Sequence, residues 1–396
     1  MKSWKANYTA LLIAETMAIM GFGFSLPIIP LFLEEDLGIT DPVKLKAWAG
    51  IIQSSSAVAM AFFAPIWGHL ADSFSRRAMI LRAMFGGAVT ISLMALVATP
   101  WQFLVLRCIQ GCLTGTVAAA TVLTAGITPA AHVAFALGLL QTGIAVGNSL
   151  GPLMGGFLSD LLGYRAAFFC TGLILALAGV IVIKWVDADT QPRPTVKKRL
   201  SLLPDIKPIA SSPLLITLML VTFGVHTANT VATPMLPLFL KTMILDAGGD
   251  SARVASSTGI VLGVGAVFTA LAAVLVGKFS TRAGYWTTLV FCVSAGAILT
   301  FPQTFVTNIQ QLTILRAASL FFIGGTAPVI NAIIAVSTEK NRQGTIYGLN
   351  SSVTFAGAAL GPMIGAAVAM LNFRILFTTS ALILGLSVLA IIKRRK

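Results

Sequence analysis

Residues 8–33 read YTALLIAETMAIMGFGFSLPIIPLFL, an apolar stretch whose single charged side chain is Glu15. A helix needs ~20 apolar residues to cross a bilayer and a barrel strand only ~10, so this run predicts a transmembrane helix. The rest of the chain follows suit. Of 396 residues 57% are hydrophobic and 10% charged, against roughly 25% charged in soluble domains, and no soluble surface can be built from that. Lipid supplies no water to backbone N–H and C=O groups, which helices satisfy internally. Breaks at charge, Pro or Gly predict helices over 8–33, 47–69, 78–98, 101–125, 132–158, 166–185, 212–240, 254–277, 286–304, 309–335, 344–370 and 374–392. The fold class is an all-α membrane protein of twelve transmembrane helices.

The tail of the opening stretch recurs. Residues 27–33, PIIPLFL, return as PMLPLFL at 234–240, and QFLVLR at 102–107 returns as QLTILR at 311–316. Gly50-Ile51 matches Gly259-Ile260, Gly68 matches Gly277, and Gly115 matches Gly324. Gly147, Gly151, Pro152 and Gly155 match Gly357, Gly361, Pro362 and Gly365, so the offset stays between 207 and 210 throughout. Such a register means two related six-helix bundles, residues 1–185 and 212–396, joined by a polar linker over 186–211 rich in Pro, Lys, Arg and Asp. With six helices each, both halves begin on the same side, which makes them parallel repeats with a substrate path between them.

A net charge of +14 would suggest nucleic acid in a soluble protein, but the basic residues form no patch. Counted along the predicted topology, 19 of the 27 Lys and Arg fall on the side of the two termini and the linker. That bias predicts both termini in the cytoplasm of a multi-pass protein of the cell membrane, with the bilayer and not nucleic acid as partner. Cys108, Cys112, Cys170 and Cys292 lie in apolar stretches and give neither a disulfide framework nor a metal site. The first apolar run is too long for a signal peptide and is expected to remain as a helix.

Between the second and third helices stands GHLADSFSRR, residues 68–77. It resembles the loop signature of the major facilitator superfamily, G-x-L-A-D-[RK]-x-G-[RK]-[RK], at Gly68, Leu70, Ala71, Asp72, Arg76 and Arg77, and departs from it at Ser73 and Ser75. The resemblance implies a conformational switch loop in which Asp72 acts as a latch. Residues 104–111, LVLRCIQG, resemble the family's fourth-helix motif, whose arginine is linked to proton transfer, which implicates Arg107. A structural arginine, mirrored by Arg316, is the competing reading. Gly143-x3-Gly147-x3-Gly151-Pro152-x2-Gly155-Gly156 resembles the fifth-helix signature of the drug/proton antiporters, the bacterial multidrug-efflux branch. Small residues at this spacing let helices approach closely, so these glycines are packing devices.

Glu15, Arg107 and His226 are the candidates for proton coupling and substrate contact. Glu15 lies ~10 Å into its helix, a depth where a carboxyl group can take up and release a proton, or from which it can snorkel back to the interface. Phe22 and Leu26 share its face and would complete a pocket for a lipophilic cation. A direct Glu15–Arg107 pair would have to span ~15 Å and is not expected. His226, near the middle of the seventh helix, can titrate near neutrality or serve as a structural residue. Gln110, Gln141, Asn229, Arg316 and Asn331 are further cavity candidates.

No P-loop and no nucleophile–base pair appears, so an enzyme is not indicated and no cofactor is expected. The reading is a secondary active transporter, acting as a monomer, that exports lipophilic or drug-like small molecules against protons by alternating access. The runner-up is a transporter of anionic or zwitterionic metabolites, siderophores or lipids, suggested by Arg107 and Arg316.

Overall fold

The computed structural model describes residues 4–73, 75–187, 212–339 and 343–395. Its first half holds α1 (Trp4–Phe24), α2 (Ile29–Glu35), α3 (Pro42–Ser73), α4 (Arg76–Met94), α5 (Pro100–Leu113), α6 (Thr116–Ile127), α7 (Val133–Leu162) and α8 (Tyr164–Trp185). The second holds α9 (Pro213–Val231), α10 (Leu236–Asp246), α11 (Val254–Ala283), α12 (Tyr285–Thr300), α13 (Ile309–Gly324), α14 (Thr326–Ser337), α15 (Gln343–Leu371) and α16 (Ile375–Arg395). Taking α1 with α2, α5 with α6, α9 with α10 and α13 with α14, the described helices make twelve passes. Eight passes are long and apolar enough on hydropathy to cross a bilayer, and α1 with α2 is a ninth, bent by 43°.

The expectation of continuous helix is corrected in four passes. The first breaks at residues 25–28, where Pro27 and Pro30 each remove a backbone donor. The seventh, its repeat, tightens into a 3-10 turn at Thr233–Met235 beside Pro234 and Pro237. The fourth breaks at Thr114-Gly115, where Gly115 takes φ +119°, a conformation open to glycine because it lacks a Cβ. The tenth is interrupted at Gly325, which stays right-handed at φ −70°.

Within the first half α1 packs on α7 and α8, α3 on α5, and α4 on α8; in the second, α9 packs on α15 and α16, and α11 on α13. The halves meet along two seams, α7 against α11 and α3 against α15. The glycines explain how these form in lipid, where no hydrophobic force separates helix from tail and close approach must do the binding. Gly147, Gly151 and Gly155 on α7 abut the backbone of α1 at Thr16, Met20 and Phe24. The neighbouring Gly156 faces the other way, onto the backbone of Ala255 in α11. The second member of the Gly-Gly pair therefore serves the seam between halves and the first serves the packing within one. At the same seam Gly259 abuts the Pro152 carbonyl, and its repeat mate Gly50 abuts the Pro362 carbonyl on the opposite seam.

Aromatic side chains fasten the end of the bundle remote from the chain termini, here the distal end. Phe32, Phe103 and Phe168 meet edge to face at 5.2–5.7 Å and tie α2, α5 and α8 together. Phe239 and Phe377, the repeat mates of Phe32 and Phe168, make the matching contact at 5.6 Å in the second half.

Polar contacts across the seams lie at this end too. Lys241 Nζ stands 2.9 Å from Glu34 Oε2, Lys46 Nζ donates to the Ala369 carbonyl over 2.8 Å, and the Ser256 N–H donates to Asp160 Oδ2 over 2.8 Å. The last of these gives the first turn of α11 an acceptor from the opposite half, where helix amides lack intrahelical partners. The distal end is closed.

Candidate functional site

Glu15 sits on the inner side of α1 and is 0% exposed. Its Oε1 accepts a hydrogen bond from Thr116 Oγ1 over 2.7 Å, while Oε2 has no protein partner. Thr116 is the first residue of α6, so the break in the fourth pass delivers the one hydroxyl that holds the carboxyl. A carboxylate costs several kcal/mol to bury without compensation, so such a group is poised to change its protonation when its surroundings change.

Arg107 on α5 is buried as well, at 4% exposure, and forms no ion pair with Glu15. Its Nη1 donates to Gln110 Oε1 over 2.8 Å and its Nη2 to Gln53 Oε1 over 3.1 Å. Gln110, a sequence candidate, thus orients the guanidinium. Gln53, on α3, is not among the sequence candidates; what marks it is its contact with Arg107 from a different helix, 54 positions away. Among the described residues no carboxylate lies within ion-pair distance of Arg107 or of Arg316.

The second half contains a cavity of about 310 Å³. His226 and Asn331 both line it, joined by Thr222, Tyr347, Asn350 and Thr354 from α9 and α15. Thr222 Oγ1 donates to Asn350 Oδ1 over 2.9 Å, and the Tyr347 hydroxyl donates to the Asn331 carbonyl over 3.0 Å. Its polar lining is hydroxyl, amide and imidazole, a surface that can exchange hydrogen bonds with many ligand geometries. A much smaller cavity, about 10 Å³, lies among Asn229, Gln303, Arg316, Ser319 and Ser380. Arg316 Nη2 reaches Thr233 Oγ1 at 3.4 Å, a looser hold than Arg107 enjoys.

The remaining candidates scatter. The Phe22 ring is spent on packing against α4 at Gly87, and neither Phe22 nor Leu26 lines the two cavities. Gln141 is an exposed residue of α7, also outside both. Of the switch loop, the surroundings of Gly68 and the side chain of Asp72 lie outside the described residues, whereas Arg77 donates to the Ile183 carbonyl and Arg76 is half-buried.

Comparison with known proteins agrees with this architecture. The family model described as Major Facilitator Superfamily matches residues 11–307 and again 255–396. The chain is 31% identical over 382 residues to multidrug resistance protein MdtG of Enterobacter lignolyticus (strain SCF1), covering 96% of this chain and 90% of that one. It is likewise 31% identical over 380 residues to the protein of that name in Escherichia fergusonii, covering 96% and 92%. Among solved structures, the nucleoside transporter NupG superposes with a TM-score of 0.79 at 14% identity, over 98% of this chain and 99% of that chain. The human organic anion transporter MFSD10 superposes with a TM-score of 0.70 at 18% identity, over 99% and 100%. At those identities the likeness is one of fold.

Proposed function

The chain belongs to the Major Facilitator Superfamily and is a secondary transporter, and from that premise we propose that it is a proton-coupled antiporter exporting lipophilic or drug-like molecules. The observation that carries the coupling is Glu15, a fully buried carboxyl group with one oxygen held by Thr116 and the other unpartnered. When the halves rock and the site faces alternate sides, a proton bound there on one side is released on the other, and substrate moves in the opposite sense. The relatives named for multidrug resistance support a drug-like substrate. The cavity lined by His226, Asn331 and Asn350 supplies adaptable hydrogen bonding in place of a fixed charge.

We place the protein in the cell's inner membrane with both termini in the cytoplasm, on the strength of the 19 to 8 basic asymmetry. The closed distal end is then the outer face. Residues 1–185 and 212–396 serve as the two rocking bodies, Asp72, Arg76 and Arg77 belong to the switch loop, and one chain suffices for transport. Arg107 and Arg316, buried without carboxylate partners among the described residues, favour the second reading, an anionic or zwitterionic substrate.

Reconstituted in proteoliposomes, Glu15→Gln should abolish uptake or efflux of a lipophilic cation such as ethidium driven by a pH gradient. Undiminished gradient-driven transport would refute the coupling role. Under the second reading, binding of organic anions weakens on Arg107→Ala and cations do not compete.

A further inference from the structure

A helix broken inside a membrane exposes carbonyls that lipid cannot satisfy, so the break must be answered by side chains. At the end of α5 the answers come from two neighbouring helices. Trp67 of α3 donates its indole Nε1–H to the Cys112 carbonyl over 2.6 Å. Arg82 of α4 donates from Nη2 to the Thr114 carbonyl over 3.3 Å. The two side chains also hold each other, the Arg82 guanidinium carbon standing 3.4 Å from the Trp67 ring centroid in a cation–π stack. One residue beyond Thr114 comes Gly115 in its left-handed conformation, and one beyond that comes Thr116 with its bond to Glu15.

The repeat lacks this device. At the 209-residue offset Trp67 becomes Val276, Arg82 becomes Phe291 and Thr116 becomes Gly325, and at the 207-residue offset of the first pass Glu15 becomes Thr222. There the Phe291 ring packs on Phe322 at 5.6 Å, and the chain passes through Gly325 in its right-handed conformation. The clamp, the left-handed break and the buried carboxyl occur together in one half, and the described residues of the other have none of the three.

We propose that Trp67 and Arg82 are positioning residues for Glu15: by clamping the end of α5 they set where α6 begins and so hold the Thr116 hydroxyl against the carboxyl. Trp67 directly precedes the switch loop at residues 68–77 and Arg82 follows it by five residues, so the clamp joins that loop to the buried carboxyl through two hydrogen-bonded carbonyls. The inference rests on the coupling role of Glu15 for its meaning, but its geometry can be tested without transport. The helices packed most closely on α1 are α6, α7 and α8, while α4, which meets it at Phe22, spends Arg77 on the Ile183 carbonyl and Arg82 on the Thr114 carbonyl. Among their charged groups Asp160 is engaged with Ser256, Arg165 with Asp36, and Lys184 lies over the Trp185 ring in the last turn of α8. No charged residue belongs to α6, which leaves Thr116 as the hydrogen-bond donor to Glu15.

The test is pH-jump difference infrared spectroscopy of the purified full-length protein, with the Glu15 carboxyl C=O band assigned by its loss in Glu15→Gln. Thr116→Val removes the bond and should shift that band to higher wavenumber. Arg82→Gln and Trp67→Phe should shift it in the same direction, and Arg82→Gln combined with Thr116→Val should shift it no further than Thr116→Val alone. Arg82→Lys, which keeps the charge and loses the planar stack, should also move the band. A band that stays at its wild-type position in Arg82→Gln and Trp67→Phe, or is restored fully by Lys, overturns the clamp. Glu15→Gln transport that persists under a pH gradient would instead remove the coupling role while leaving a displaced band as evidence for the clamp.

Discussion

Lys241 Nζ lies 2.9 Å from Glu34 Oε2 and 3.4 Å from Glu35 Oε1, so one ammonium on the seventh pass bridges two carboxylates at the end of the first. The residues belong to opposite halves and sit on the closed distal end. Half-buried pairs of this kind contribute about 1 kcal/mol, which is small for folding yet large for an equilibrium between two packed states. Lys241→Ala should leave the fold intact and raise the population of distal-open molecules about fivefold. Thiol labelling of a cysteine placed at Ala366, buried on the α3–α15 seam against Gly50, should accelerate accordingly, and an unchanged rate would show that the bridge does not hold the gate.

Gly155 and Gly156 should separate two effects that the sequence motif runs together. Gly156→Ala drives a Cβ into the backbone of Ala255 across the seam and opposes distal closure, at a cost on the order of 1–3 kcal/mol. Labelling at the distal end should rise while thermal stability changes little. Gly155→Ala strikes the backbone of Phe24 in the same half, so there the melting temperature should fall.

Gln53→Leu removes the acceptor that Arg107 Nη2 uses at 3.1 Å and leaves part of a buried guanidinium without a partner. A cost of about 1–3 kcal/mol is expected, read as a lowered melting temperature in detergent. If Arg107 takes up solvent instead, stability will not change.

Asn350→Leu replaces an amide that meets Thr222 and lines the 310 Å³ cavity with a side chain that offers no hydrogen bond. Drug-like compounds that raise the wild-type melting temperature should lose about tenfold in affinity, equivalent to about 1.4 kcal/mol, in ligand-dependent thermal shift. Retention of wild-type ligand stabilisation would move the binding site elsewhere.

The apolar run at residues 8–33, the scarcity of charge and the repeat near offset 209 were enough to establish a helical membrane protein with two related halves, because both the bilayer's demand for satisfied backbone groups and internal duplication are written in local composition. Glu15 was legible for the same reason, as a lone carboxyl in an apolar helix. Its partner was not. Thr116 lies 101 positions away, and its hydroxyl resembles any other in a membrane helix until the chain breaks beside it. Nothing in the sequence ties Arg82 or Trp67 to the end of the fourth pass, which they meet only through its carbonyls. The opposed duties of Gly155 and Gly156 likewise follow from which helix each meets. Spacing along one helix is a property of sequence, whereas the choice of neighbour is made only when helices pack, and it is that choice which turned a lone carboxyl and a glycine motif into a held proton site and a seam.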